Sequence, residues 1–101
     1  MQKMIYGTAW KKENTTRLVQ EALSCGFQAI DTACQPKHYR EDLVGTGLQN
    51  AFEEGIKRDD IFIQTKFTPI AGQDINNMPY FYSDDIITQV EKSFIKSKEN
   101  L

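Results

Sequence analysis

The chain has 101 residues, 40% of them hydrophobic, which fits one small domain with a packed core. Lysine and arginine number 12 against 14 aspartate and glutamate, so a net charge of −2 gives no electrostatic basis for binding nucleic acid or an anionic membrane. No apolar segment is long enough for a signal peptide or a membrane span, and two cysteines are too few for a disulfide scaffold. We therefore expect a cytoplasmic protein with free thiols.

The first strand and helix are predicted near the start of the chain. Met4-Ile5-Tyr6 is a short apolar run that ends at Gly7-Thr8. Asn14 or Thr15 can cap the helix that follows, because their side-chain oxygens can accept from first-turn amides. The helix places four apolar side chains on one stripe and is predicted to end at Gly26: Leu18, Val19, Ala22 and Leu23.

A second strand and helix repeat this order. The segment 27–32 carries Ile30 and predicts a strand, and a polar loop follows it. Helical spacing then continues until Gly55 through Leu43, Val44, Leu48, Ala51 and Phe52.

The third strand has the clearest strand pattern, because β-branched and aromatic residues fill the segment 61–67. The segment 68–82 has prolines, a glycine and no sustained period, so it predicts a long loop, and such loops are often functional. We predict that Ser83 caps a last helix whose buried stripe contains Ile86, Ile87, Val90 and Phe94.

Three strand–helix units in series predict an α/β fold with parallel strands. The pattern fits either an open sheet or part of a (β/α)₈ barrel. A complete barrel takes about 250 residues and eight strands, so a barrel of this length would be partial.

Four segments, in this order, resemble the amino-terminal part of the aldo-keto reductases. They are residues 7–10 (GTAW), 26–33 (GFQAIDTA), 38–45 (HYREDLVG) and 60–66 (DIFIQTK). The resemblance runs through essentially the whole chain. It implies that residues 1–101 are the amino-terminal part of such a domain, a partial TIM-type (β/α)₈ barrel with about three β/α units.

The resemblance also implies an NADP(H)-dependent oxidoreductase acting on a small-molecule carbonyl substrate. By position, Tyr39 resembles the family's general acid, Lys66 the cation that favours its phenolate form, and Asp31 the carboxylate that pairs with the lysine. This agrees with elementary chemistry, because an unperturbed phenol exchanges protons slowly at neutral pH and a nearby ammonium favours the charged form. Asp31 also stands where the family contacts the cofactor's nicotinamide ribose.

Residues after the first strand resemble other parts of the family's site. Gly7 and Thr8 stand at the cofactor edge, and Trp10 stands at the substrate pocket. This chain has Gly-Thr-Ala-Trp where many members have Gly-Thr-Trp, and its spacer between Asp31 and Tyr39 is longer than the common one. The family's catalytic histidine follows a fourth strand, and most of its cofactor site lies in the second half of the barrel, so the isolated chain is expected to lack both.

No metal site is predicted. Cys34 and His38 are four residues apart, but Pro36 between them disfavours the helix that would align them.

Two functions remain open from the sequence. One is an aldehyde- or ketone-reducing enzyme, incomplete as an isolated chain. The alternative is a non-catalytic shortened relative that acts as an interaction or regulatory protein. Three parallel strands leave an open sheet edge, so self-association through that edge is possible.

Overall fold

The computed structural model describes residues 4–101, which form three strands and three α-helices. The strands are β1 (Ile5–Gly7), β2 (Ala29–Asp31) and β3 (Phe62–Gln64). The helices are α1 (Thr15–Ser24), α2 (Glu41–Glu53) and α3 (Ile86–Asn100). Within this part of the chain, no helix combines the length and apolar character needed to cross a membrane.

The strands form one parallel sheet in the order β1-β2-β3, as the sequence predicts. Tyr6 pairs with Ile30 and Ile30 with Ile63, so these three side chains share one face. The next pairs in the register join Gly7 to Asp31 and Asp31 to Gln64. All three strands therefore end at the same edge of the sheet, where their following loops meet.

The hydrophobic core lies between one face of the sheet and helices α1 and α2. It contains Val19, Leu23, Ile30, Val44, Leu48, Ala51 and Ile61, with Tyr6, Phe52, Ile56 and Ile63 packed against it. The predicted apolar stripe of α1 is confirmed except that Leu18 is only half-buried. In α2, Leu43 and Phe52 are likewise half-buried, while the rest of the predicted stripe is buried. Full burial of one such aliphatic side chain contributes about 1.5–3 kcal/mol.

The opposite face of the sheet is bare in the described residues. Ile5 and Phe62 flank Ala29 in the register, and because side chains alternate along a strand they lie on the face away from Ile30. Ile5 is 52% exposed and Phe62 is 55% exposed. Asp31 belongs to this same face, so its carboxylate lies on the uncovered side of the sheet.

Two glycines of α2 permit close approach of neighbouring elements. A Cβ on Gly45 would lie 1.7 Å from the backbone oxygen of Asn100, and one on Gly47 would lie 3.0 Å from the backbone oxygen of Thr16. The end of α3 therefore packs directly on the α2 backbone. The Thr16 hydroxyl adds a hydrogen bond of 2.8 Å to the Leu43 carbonyl oxygen, which ties α1 to α2.

The prediction for α3 is correct about the helix and wrong about its buried face. Gln89, Ser93 and Ser97 are the buried residues of the helix, whereas the four residues predicted to be buried are exposed: Ile86, Ile87, Val90 and Phe94. The physical reason is that a buried carboxylate on α2 requires hydrogen-bond donors, and the polar side of α3 supplies them.

The predicted cap of α3 is also wrong. Asp85, not Ser83, is the N-cap, and its side chain accepts from the Thr88 backbone N–H at 2.8 Å. For α1, Asn14 occupies the N-cap position without a side-chain cap hydrogen bond, and the Thr15 hydroxyl donates to the Lys12 carbonyl oxygen instead.

The strands are shorter than predicted, and the long loop is confirmed. Residues 68–82 contain only a short 3₁₀ turn, Ile70–Gly72, and an isolated bridge between Asp74 and Asn77. The loop is fixed from within, because the Tyr80 hydroxyl donates to the Thr68 carbonyl oxygen at 2.6 Å. The predicted stops Gly26 and Gly55 follow α1 and α2 with φ values of 105° and 110°, where glycine avoids the strain that a Cβ would cause.

Candidate active site

Asp31 and Lys66 form an ion pair at the carboxyl edge of the sheet. Asp31 is the last residue of β2, and Lys66 follows the end of β3 by two residues. Lys66 Nζ lies 2.6 Å and 2.8 Å from the two carboxylate oxygens of Asp31. Gln64 Nε2 also donates to Asp31 Oδ1, at 2.8 Å. The carboxylate therefore holds the ammonium group in place on the bare face of the sheet.

Tyr39 lies beside this ion pair. It belongs to the loop between β2 and α2, where its backbone N–H donates to the Gln35 carbonyl oxygen at 2.9 Å. Lys66 Nζ lies 5.3 Å from the centre of the Tyr39 ring. The structure thus brings Asp31, Tyr39 and Lys66 together, although successive members are 8 and 27 positions apart in the sequence. A phenol, an ammonium group and a carboxylate in this order can transfer a proton and stabilise negative charge on oxygen.

Thr8 joins the end of β1 to the end of β2. Its hydroxyl and its backbone N–H both donate to the Asp31 carbonyl oxygen, at 2.8 Å and 3.1 Å. Thr8 is fully buried, so its hydroxyl holds the backbone of Asp31 and does not face solvent. Gly7 is exposed, with open space where a Cβ would stand. Of these two predicted cofactor contacts, the Gly7 backbone is the accessible one.

Trp10 lies over the loop that carries Tyr39. Its ring stacks on the His38 ring with 3.8 Å between centroids, and its backbone N–H donates to the His38 carbonyl oxygen at 2.8 Å. Trp10 is 66% exposed and has a φ of 65°, and Lys12 has a φ of 52°. Such left-handed conformations are costly for residues with a Cβ and are concentrated at ligand sites.

Glu41, at the start of α2, is a buried carboxylate that the sequence analysis did not single out. It is 4% exposed and accepts hydrogen bonds from the Thr65 hydroxyl, from Ser97 Oγ at 2.8 Å and from Asn100 Nδ2 at 2.9 Å. Thr65 directly precedes Lys66, so Glu41 ties the segment that carries the lysine to α2 and α3. Glu41 belongs to the segment 38–45 that resembles the family, and this was the one sequence signal that could have drawn attention to it. Its burial could not be predicted locally, because its hydrogen-bond donors are 24, 56 and 59 residues away in the sequence.

Cys34 is a buried thiol near Glu41. It is 3% exposed. Burial, followed by the nearby Glu41 carboxylate, raises the pKa of Cys34 to about 11. Cys34, Tyr39 and Glu41 contribute to the lining of a cavity of about 500 Å³. Among residues 4–101, no group of three or more metal-ligating side chains is close enough to hold a metal ion.

Comparison with known proteins identifies the family. A family model described as "Aldo/keto reductase family" matches residues 3–100. The chain belongs to the aldo/keto reductase family. It is 38% identical to the NAD(P)H-dependent D-xylose reductase of Pachysolen tannophilus over 58 residues, which are 56% of this chain and 18% of that protein. It is 49% identical to the D-galacturonate reductase of Hypocrea jecorina over 49 residues, which are 48% of this chain and 15% of that protein.

A solved structure shows which of the two predicted sheets is present. The crystal structure of an aldo/keto reductase from Brucella melitensis superposes with a TM-score of 0.65 and 30% sequence identity, and it covers 96% of this chain and 32% of that chain. The three parallel strands and their helices are therefore part of a (β/α)₈ barrel. The chain spans about a third of the length of this structural relative.

Proposed function

We propose that the protein is a cytoplasmic NADP(H)-dependent oxidoreductase that reduces aldehyde or ketone carbonyls, with Tyr39 as the general acid. The observation that carries the proposal is the Lys66 ammonium group, which binds Asp31 at 2.6 Å and lies 5.3 Å from the centre of the Tyr39 ring. Family membership supports the same reaction class.

The proposed proton transfer uses these three residues in turn. The Tyr39 hydroxyl donates its proton to the carbonyl oxygen as that oxygen gains negative charge. The Lys66 ammonium group stabilises the resulting phenolate, because an opposite charge nearby favours the ionised phenol. Asp31 directs Lys66 to this point through their two hydrogen bonds, and Gln64 restrains Asp31 through a further hydrogen bond.

The residues at the strand ends fit the nicotinamide end of a dinucleotide. Gly7 presents accessible backbone, and Asp31 presents a carboxylate that is 20% exposed and can accept from a ribose hydroxyl. When bound, the cofactor supplies the hydride.

The names of two relatives favour small polyhydroxylated carbonyl compounds as substrates. One relative is a D-xylose reductase and the other a D-galacturonate reductase. Trp10 is proposed as a wall of the substrate pocket, because its exposed ring lies over the loop that carries Tyr39.

The test follows NADPH absorbance with a panel of aldehydes and ketones, using the purified chain and its Tyr39→Phe variant. We expect any carbonyl-dependent oxidation by the chain to fall at least about 100-fold in Tyr39→Phe, the usual contribution of a general acid. Tyr82→Phe is the matched control, since Tyr82 is 65% exposed and distant in sequence from the site. Equal turnover by Tyr39→Phe and the unaltered chain would overturn the assignment of Tyr39.

A non-catalytic interaction protein is the second candidate, and the exposed Ile5 and Phe62 side chains favour it. Such apolar exposure on one sheet face is typical of a surface that another polypeptide segment covers. Specific binding of a protein partner by a folded sample that neither binds NADPH nor oxidises it with any carbonyl would support this candidate over the enzyme.

A further inference from the structure

The two loops that carry the phenol and the ammonium group of the candidate site are joined to each other. Tyr39 lies in the loop between β2 and α2, residues 32–40, which we call the tyrosine loop. Lys66 lies in the loop between β3 and α3, residues 65–85, which we call the lysine loop. The Cys34 backbone N–H donates to the Lys66 carbonyl oxygen at 2.9 Å. The two loops are therefore in contact shortly after they leave the sheet.

Two glutamines, one on each loop, each donate to the backbone of the other loop. Gln35 Nε2, on the tyrosine loop, donates to the Gly72 carbonyl oxygen at 2.6 Å. Gln73 Nε2, on the lysine loop, donates to the Cys34 carbonyl oxygen at 3.0 Å. The same nitrogen donates to the Thr68 carbonyl oxygen at 3.2 Å, so both N–H bonds of the Gln73 amide are used. We call this reciprocal arrangement the glutamine clasp.

The clasp is largely buried, and the fold accepts a cost for it. Gln73 is 6% exposed and Gln35 is half-buried. The Oε1 atoms of both side chains are buried without a hydrogen-bond partner among the described residues. An unpaired buried oxygen is unfavourable, but the reverse amide orientation would place that oxygen against a carbonyl oxygen, where two acceptors repel each other. The surroundings of the two side chains therefore select them as donors to the opposite loop.

The clasp restrains the turn that presents Tyr39. The Gln35 carbonyl oxygen accepts from the His38 N–H at 3.2 Å and from the Tyr39 N–H at 2.9 Å, so fixing Gln35 fixes this turn. Gln35 lies in the spacer between Asp31 and Tyr39, which is longer in this chain than the common family spacer. A longer loop loses more entropy when it is held in one position, so it needs additional contacts.

We propose that Gln35 and Gln73 are positioning residues that hold Tyr39 against Lys66. Lys66 Nζ lies 5.3 Å from the centre of the Tyr39 ring, and the clasp maintains this separation by keeping the two loops together. A displacement of about 1 Å at a catalytic site can cost about 100-fold in rate. The importance of the clasp for catalysis rests on the proposed function, whereas the restraint on the loops does not.

The test measures the Tyr39–Lys66 contact by NMR spectroscopy of the purified chain and needs no turnover. Side-chain protons of Lys66 near the Tyr39 ring carry a ring-current shift, and Tyr39→Leu removes this shift and so calibrates it. Gln73→Leu keeps the approximate side-chain volume and removes the donors, and we expect it to lose most of the shift. Gln35→Leu is expected to do the same from the opposite loop, and it decides the test if Gln73→Leu fails to fold.

Gln89→Leu is the matched control. Gln89 is 7% exposed, and its Nε2 donates to the Asp84 carbonyl oxygen at 2.9 Å, where the lysine loop enters α3. The substitution therefore removes a comparably buried glutamine, also bound to a backbone carbonyl, without changing the clasp. We expect it to lower the thermal midpoint to a similar extent as Gln73→Leu and to leave the ring-current shift of Lys66 unchanged.

A ring-current shift that survives in a folded Gln73→Leu or Gln35→Leu variant would overturn the proposal. An equal loss of the shift in Gln89→Leu would also overturn it, because the loss would then reflect general loosening of the fold. If carbonyl reduction is measurable, the two clasp variants are expected to lower kcat more than Gln89→Leu does, with KM nearly unchanged.

Failure of the clasp is distinguishable from failure of the proposed function. Equal turnover by Tyr39→Phe and the unaltered chain, together with loss of the ring-current shift in the clasp variants, would remove Tyr39 as the general acid and retain the clasp as the restraint on both loops.

Discussion

Two carboxylates near the candidate site are held in opposite ways. Asp31 is partly exposed and pairs with the Lys66 ammonium group, whereas Glu41 is 4% exposed and receives only neutral donors from Thr65, Ser97 and Asn100. Burying a carboxylate is costly unless hydrogen bonds compensate it. The pattern agrees with the proposed role of Asp31, whereas Glu41 holds three chain segments together.

We predict that Glu41→Ala destabilises the fold much more than Asp31→Ala. The Glu41 substitution leaves buried donors without an acceptor, which costs about 1–3 kcal/mol for each group that stays unsatisfied. The Asp31 substitution removes a partly exposed ion pair worth about 1 kcal/mol or less. Urea unfolding followed by circular dichroism measures both, and equal midpoints for the two variants would contradict the structural role of Glu41.

The two cysteines are predicted to differ in reactivity. Cys25 is exposed, while Cys34 is buried and has a pKa raised to about 11 by burial and by the Glu41 carboxylate. Because the thiolate is the reactive form, iodoacetamide at pH 8 is expected to label Cys25 alone in the folded chain and both residues in urea. Mass spectrometry of the labelled peptides reads the result. Rapid labelling of Cys34 without denaturant would be inconsistent with the buried position.

The sequence predicts the Asp31–Lys66 pair more readily than it predicts Glu41. Asp31 and Lys66 follow successive strands, and parallel strands end at one edge, so their proximity follows from the strand order. Nothing local to Glu41 indicates burial, since an acid in a first helical turn usually serves the exposed helix terminus. Its burial follows from donors on other elements, which local patterns do not encode.

At the scale of elements, α3 shows why an apolar stripe predicts a helix better than its orientation. The period of Ile86, Val90 and Phe94 correctly indicates the helix, yet these side chains are 57%, 43% and 64% exposed. The face of α3 that packs on the rest of the described chain contains Ser97, because the hydrogen bond from Ser97 to Glu41 selects that face. Periodicity identifies two faces and does not reveal which neighbour each face meets.

The cap of α3 gives a direct comparison of two variants. Asp85→Ala is expected to lower the thermal midpoint, because it removes the acceptor for the Thr88 N–H, whereas Ser83→Ala is expected to leave it unchanged. The hydrogen bond from Thr88 lowers the pKa of Asp85. Its stabilisation is therefore present above the ordinary aspartate pKa of about 3.9 and is lost as the pH falls through the lower folded value.

Thermal unfolding of the three proteins at pH 7 and at successively lower pH measures this effect. The difference between the unaltered chain and Asp85→Ala is expected to shrink with acidification. A larger effect of Ser83→Ala than of Asp85→Ala would show that the cap is misassigned.

At the scale of the whole molecule, helices cover one face of the sheet and leave the other bare. Strands β1 and β3 each have a partner on one side only among residues 4–101, and Ile5 and Phe62 are more than half exposed. Unpaired strand edges and exposed apolar side chains both favour association with further strands. The alternation of strand and helix patterns predicts this architecture and its uncovered face from sequence, and the register identifies Ile5 and Phe62 as side chains on that face.

We predict that the purified chain self-associates through this surface. Phe62→Lys is expected to shift sedimentation velocity profiles toward the monomer, because it places a charge on the bare face beside the β3 edge. Gln49→Lys introduces the same charge at an exposed position of α2 and serves as the control. An unaltered chain that stays monomeric at the highest concentration that sedimentation velocity can measure would count against the prediction. An equal effect of both variants would do the same.

The buried Glu41 carboxylate also sets an order on folding. Its contacts with Ser97 and Asn100 span 56 and 59 residues, whereas α1 and α2 pack through segments much closer in the chain. Contacts of long sequence separation form late, because the entropy of closing the intervening loop is lost before they are made. The α1–α2 pair can therefore assemble on the sheet first, and the last turn of α3 completes the burial of Glu41. Until that turn docks, the Glu41 carboxylate lacks the Ser97 and Asn100 donors and stays hydrated, so the docking of α3 is the step that removes this charge from water.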